Sequence, residues 1–272
     1  MKTHLVEFGS VSEVIREAVH FGFGDDAKRI DERLRQAPHG GDANPNYFNG
    51  YSWSKLESAI GNPPTELIQA VDAMRERIGD CVLPEKRMRR VYNNSETGDE
   101  LSPLAWAQRN PNGWTEMRSV ARPKDTLTIG INLGIGWKAK TTDLLYRGAA
   151  VAALSDVLES AGHAVEIVAF KSTLDVTSRC PHVSTRVLVK ASDSPLDIGA
   201  VAFALCEVAF YRLALMSANA RRCPGILTES WGRVASLGAE DLRGLDIIAE
   251  RDIHTESAAV AWILQHASTL AA

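Results

Sequence analysis

The sequence predicts an α/β protein: a mostly parallel sheet with one antiparallel hairpin strand, helices on both faces, and an irregular, mainly helical N-terminal region. Three observations carry that reading. Residues 126–171 run strand, Gly-rich loop, long apolar-periodic helix and second strand, which is one βαβ unit with a crossover helix. The segment 170–183 is too short and too polar to hold another crossover helix, so the strands flanking it should pair antiparallel. Composition also shifts near residue 123. Upstream the chain is polar and punctuated by turn clusters such as Pro38-His-Gly-Gly, Gly61-Asn-Pro-Pro and Arg109-Asn-Pro-Asn-Gly, and downstream it becomes regular.

Taken in order, a short helix is expected at about 11–20 and a firmer one over 65–78. Thr65 is placed to cap the second, and Leu67, Ile68, Val71, Met74 and Ile78 give it a helical apolar stripe. Downstream, strands are expected at 126–133, 164–171, 184–191 and 243–249, with helices at 142–161, 196–219 and 255–269. The division that follows is a helical and irregular region over 1–122 and an α/β domain over 123–272. Trp53, Trp106 and Trp114 lie in otherwise polar segments, and each buries a large apolar area when packed. They are expected to pin the N-terminal region against the sheet.

A chain of 272 residues, 45% hydrophobic and 24% charged, is long enough to bury a substantial core. The formal net charge of −4 supplies no overall drive toward nucleic acid or an anionic membrane. The apolar stretch over 198–216 carries Glu207 and Arg212 and reads as a buried helix rather than a membrane span. The opening residues lack the apolar core of a signal peptide. Cys81, Cys180, Cys206 and Cys223 form no CxxC pair, so free thiols in a reducing cytoplasm are the expectation. The seven histidines are scattered singly, with no HExxH spacing, and no GxSxG elbow is present, so hydrolase chemistry is not indicated.

Several local motifs, in their order, resemble those of a von Willebrand factor A (VWA) domain. They are the strand and small-residue loop at 127–136, Arg147-Gly-Ala-Ala-Val-Ala-Ala-Leu154, Leu158-Glu-Ser-Ala-Gly-His-Ala-Val-Glu-Ile-Val168, and Arg186-Val-Leu-Val-Lys-Ala-Ser-Asp193. The nearest likeness is to the VWA domain that ends the large cobaltochelatase subunit. Phe48-Asn-Gly-Tyr-Ser-Trp53 and Gly98-Asp-Glu-Leu-Ser-Pro103 look like segments of phage-encoded and bacterial proteins that carry such a domain. The resemblance implies a Rossmann-like sheet and a non-catalytic protein-interaction or adaptor role. It also implies a protein partner within a larger machine, such as an AAA-type ATPase or a polymerase.

A metal-binding VWA domain spends an Asp-x-Ser-x-Ser loop, a Thr and a further Asp on a hard divalent ion such as Mg²⁺. Here the first loop reads Asn132-Leu-Gly134-Ile-Gly136, a neutral amide with both hydroxyls gone, so no cofactor is expected. The binding loop expected to face a partner comprises Asn132, Gly134, Gly136 and Trp137, with Asp193 and Asp197 contributing from a second loop. Asp193 or Asp197 equally suits a cap on the following helix.

Two alternatives remain. Gly134, Lys140 and Thr141 lie one substitution from a Walker A loop, with Ala139 where glycine would let backbone amides wrap a phosphate. That is the leading enzymatic alternative. Lys86, Arg87, Arg89 and Arg90, followed by Tyr92 and with Trp106 and Trp114 in the same region, interleave charge with aromatics in the manner of single-stranded nucleic-acid binders. Glu96, Asp99 and Glu100 follow closely and make a solvated surface the simpler reading of that patch.

Overall fold

The computed structural model describes residues 3–22, 24–25, 28, 48–62, 65–78, 88–95, 100–121, 125–135, 141–174, 182–223 and 236–271. Along the chain come β1 (Thr3–Phe8), α1 (Val11–Gly22), a 3₁₀ turn (Trp53–Lys55), α2 (Leu56–Gly61) and α3 (Thr65–Ile78). A small unit follows: β2 (Met88–Ser95), β3 (Glu100–Leu101), α4 (Pro103–Ala107) and β4 (Trp114–Ala121). The rest of the described chain is β5 (Thr126–Asn132), α5 (Thr141–Ser160), β6 (Ala164–Leu174), β7 (His182–Lys190), α6 (Ile198–Cys206), a π-helical turn (Phe210–Leu215), α7 (Met216–Arg222), α8 (Ala239–Leu242), β8 (Ile247–Ala249) and α9 (Glu256–Ala271).

Five strands form the main sheet in the order β1-β7-β6-β5-β8. The pairs β5/β6, β5/β8 and β1/β7 are parallel, and β6/β7 is the one antiparallel pair, as the short polar connection between them requires. The expected strands and helices downstream of 123 are present, with boundaries shifted by a few residues at most, except that β8 is shorter than expected and the helix expected at 196–219 is interrupted. The N-terminal region is a different matter. Its β1 completes the sheet beside β7, and Val6, Phe8, Val14, Ile15, Leu67, Val71 and Met74 join the same core as Ile129, Val165 and Phe203. The boundary drawn at 122/123 therefore does not separate two cores. Alternation along Thr3–Phe8 sends Val6 and Phe8 inward, and a strand this short has a partner only because β7 lies beside it in space.

One side of the sheet carries the long helices. α5 packs against α3, α6 and α9, while α1 packs against α7 and the π-helical turn. Thr185 of β7 accepts a bond from Asn219 of α7, which identifies that side. On the opposite side, among the described residues, only α8 and its flanks cover the strands. There Ser184 donates to Asp241, Arg186 donates to the Arg243 carbonyl, and Leu245 lies against Gly130. Helices were expected on both faces. The β6/β7 hairpin brings no crossover helix, so long helices are described on one face only.

Within that layer α5 is buried nearly all round, and Gly148 permits its close crossing with α6. A Cβ there would stand 2.4 Å from the Leu205 carbonyl oxygen and 2.6 Å from Cys206 Sγ. The single helix expected at 196–219 is broken at Glu207, whose backbone is extended (φ −90, ψ 121). The buried Glu207 carboxylate accepts the Ala209 amide at 3.0 Å and the Asn49 side-chain amide at 3.1 Å. A side chain that satisfies backbone donors locally competes with the helical ladder, and the chain resumes through the π-helical turn, bent by 72°. Among the described residues no single helix is long and apolar enough to cross a membrane.

Candidate functional site

Parallel strands present their carboxyl ends as the usual ligand edge of an α/β sheet. At that edge β5 ends on Asn132, beside the end of β8, whose next residue is Glu250. The Asn132 side chain is fully buried and used at both ends. Its amide nitrogen donates to Glu250 Oε2 at 3.3 Å, and its oxygen accepts the Gly134 amide at 2.9 Å. Behind it Arg147, 1% exposed on α5, donates to the Asn132 carbonyl, so the helix is fastened to the strand end. Burial pulls the guanidinium down to about 10, with Arg251 adding repulsion and Glu250, Asp143 and Asp252 opposing it. Among the described residues, Arg147 Nε is buried with no partner.

Sequence reasoning pointed to Asn132 and Gly134 but missed Glu250 and gave Arg147 no role in the site. Glu250 had one legible signal: a carboxylate directly after the short apolar run Ile247-Ile-Ala249. Nothing in the sequence says that this run lies beside β5, 118 residues away. Gly136, Trp137 and Lys140 lie outside the described residues. Thr141 opens α5, with nothing described of its side chain.

Asp193 and Asp197 do not join this edge. β7 runs opposite to β6, and Lys190 pairs with Ile167 while Asn132 pairs with Phe170. The loop after β7 therefore leaves from the amino ends of β5 and β6. Grouping these aspartates with Asn132 fails because the antiparallel hairpin reverses the direction of the strand that carries them. Asp193 is exposed, and Asp197 caps α6 by accepting the Ala200 amide at 3.0 Å. Among the described residues no group of three or more His, Cys, Asp or Glu is arranged to hold a metal ion.

A second polar centre lies under the helices, where neither composition nor motif pointed. Lys171 of β6 is fully buried, donates to the Met216 thioether, and lies 5.4 Å from the centroid of the Tyr211 ring. Burial alone pushes its ammonium down from 10.5 to about 7. Alternation along β6 would have shown a lysine at an inward position, directly after the apolar run from Ile167 to Phe170.

The small sheet has the strand order β2-β4-β3, with Arg89 paired to Val120 and Arg90 to Ser119. Lys86 and Arg87 lie outside the described residues, and of Arg89 and Arg90 only the backbone is described. The tryptophans divide. Trp53 packs against the core and donates to Ser217 at 2.9 Å, as a pinning residue should. Trp106 and Trp114 are not part of the described core: they are 68% and 41% exposed and line an open cleft of about 580 Å³ with Leu101 and Arg109. Among the described residues the three strands of the small sheet pair only with one another.

Comparison with curated proteins and with solved structures gives no match. A family match covers residues 2–261, spanning the five-stranded sheet, the helical layer and the small sheet together: the chain belongs to the family described as a domain of unknown function, DUF7192.

Proposed function

We propose that this chain is a non-catalytic protein-interaction module built on a VWA-like sheet, assisting a larger machine such as an AAA-type ATPase or a polymerase. The observation that supports it is the Asn132 lock. The side-chain oxygen that would face an ion already accepts the Gly134 amide, the amide end is held by Glu250, and Gly134 and Gly136 have no side-chain oxygen to add. Mg²⁺ demands near-octahedral oxygen ligation and gives up water reluctantly. The residues at this edge do not fit that ion. Trp137, in the same loop, is of the residue type that anchors partner surfaces.

The test is site-specific photo-crosslinking in the native host, with a photoreactive residue at position 137 and, separately, at 106. One reproducible protein adduct, absent when the label is moved to exposed Asp193, supports the reading. Adducts to nucleic acid and not to protein would favour the second reading, single-stranded DNA binding. That alternative draws on the exposure of Trp106 and Trp114 in the same small β2–β4 unit as Arg89 and Arg90. Micromolar Mg-ATP binding abolished by Lys140→Ala would instead turn the case toward a nucleotide-dependent enzyme.

A further inference from the structure

The cleft on the small sheet has a chemistry that selects its ligand. It is lined by Trp106 from the last turn of α4 and Trp114 at the start of β4, together with Leu101, Arg109, Asn110 and Pro111. Three of the protein's exposed large apolar side chains, Leu101, Trp106 and Trp114, meet here. Such convergence marks an interaction surface, whereas scattered singles do not.

The side-chain polar groups of the cleft are one-sided. Among the described residues neither indole N–H has a partner and the Arg109 guanidinium forms no ion pair, so the cleft carries three uncommitted side-chain donors on exposed residues. The one side-chain acceptor in the lining, Asn110 Oδ1, is already used by the Asn112 amide at 3.0 Å, which leaves the Asn110 amide as a further donor. A matching ligand must therefore offer apolar bulk to two indoles, many acceptors and few donors, and a negative charge.

A proline-rich segment in the polyproline II conformation meets each condition. Its rings stack on flat aromatics, its carbonyls make no internal hydrogen bonds, and proline has no N–H to leave unsatisfied. A nucleic-acid strand would also supply negative charge and stacking, but the small unit itself is not basic. Over 88–121 the sequence holds four arginines (Arg89, Arg90, Arg109, Arg118) and as many acids (Glu96, Asp99, Glu100, Glu116).

The cleft is also built in advance. The Ser102 amide donates to the Gly113 carbonyl at 2.8 Å and clips α4 to the start of β4. Arg109 adopts a left-handed φ of 50, and the bonds from Arg109 and Asn110 back to Trp106 and Ala105 close the end of α4. A rigid cleft spares a ligand the cost of ordering it.

We infer that the Trp106/Trp114 cleft docks an acidic, proline-rich extended segment of the partner protein. This rests on the interaction reading above and names the surface and the class of sequence it takes. The test uses the full chain and follows tryptophan fluorescence with an acetylated peptide of prolines interrupted by glutamates. The same peptide with alanine for every proline, the same peptide with lysine for every glutamate, and oligo-dT serve as comparisons. The proline–glutamate peptide should bind saturably, with affinity reduced about tenfold or more in Trp106→Ala and in Trp114→Ala. Arg109→Ala should weaken it less, and should erase the preference for glutamate over lysine.

Both indoles stand on the surface, so neither truncation removes core. Equal binding of the alanine peptide, binding of oligo-dT in place of peptide, or self-association abolished by Trp106→Ala would each overturn the inference. So would no binding at all. A protein adduct from position 137 in the cross-linking experiment would then leave the interaction reading standing, and its absence would remove both.

Discussion

Lys171 offers a direct test of the packing beneath the helices. It sits on the helix side of β6, fully buried, with the Met216 thioether and the Tyr211 ring beside its ammonium and no carboxylate paired with it among the described residues. Its folded-state pKa of about 7 lies below the ordinary 10.5, because burial disfavours the charged form. The unfolded chain therefore binds more protons than the folded chain between those values, and stability must rise with pH across that window. One differential proton makes the folding equilibrium tenfold more favourable per pH unit. Below about pH 7 both states hold the proton and this contribution stays flat at its least favourable value, a cost on the order of 5 kcal/mol.

Lys171→Met keeps the length of the side chain and removes the charge. Urea melts of both proteins at several pH values between about 7 and 10 would isolate the term, since every other titrating group is common to the two. The variant should be the more stable by a few kcal/mol at the neutral end, with the difference shrinking steadily toward pH 10. Parallel stability curves for the two proteins would show that Lys171 is solvated or paired, and the burial argument would fall.

Three further outcomes follow from the packing. Gly148→Ala should cost about 3 kcal/mol, at the upper end for overpacking because one atom struck is the Leu205 backbone oxygen, and outweigh the ~1 kcal/mol helix-propensity gain of alanine. A thermal melt no lower than that of the natural sequence would mean the α5/α6 crossing is looser than drawn. Residues 123–272 alone should fail to melt cooperatively. They lose Val6, Phe8, Val14, Ile15, Leu67, Val71, Met74 and Ile78, each worth roughly 1.5–3 kcal/mol when buried, against a typical net stability of ~5–15 kcal/mol. A cooperative transition at the full-length temperature would refute that. Millimolar Mg²⁺ should leave the melting temperature equal to that in EDTA, because a ligand bound by the folded state alone must raise it. A rise of several degrees that Asn132→Ala abolished would reopen the metal reading.

What was legible in the sequence was whatever local periodicity and chain length decide. The strand–loop–helix–strand run from Thr126 to Leu174 shows its own pattern, and the short polar connection to β7 permits only a hairpin. The helix at Thr65–Ile78 likewise declares itself through its apolar stripe. Asn132 and Gly134 were visible as an edge loop without the charge and hydroxyls a hard metal needs. These are near-neighbour properties, written within a few turns of chain.

Tertiary structure decided the rest. Thr3–Phe8 is a strand because β7 offers it an edge, and Asn132 meets Glu250 because β8 returns beside β5 after more than a hundred residues. The hairpin that the sequence announced also sent Asp193 and Asp197 to the opposite end of the sheet, a consequence of strand direction that no motif records. An apolar run from Ile198 reads as continuous helix until Glu207 finds Asn49 and breaks it. Tryptophan composition cannot say which indoles are covered: Trp53 has the core and Ser217 to receive it, while Trp106 on α4 and Trp114 on β4 stay exposed. Pattern fixes which faces are apolar, and only the packed chain determines which of them find a partner within it.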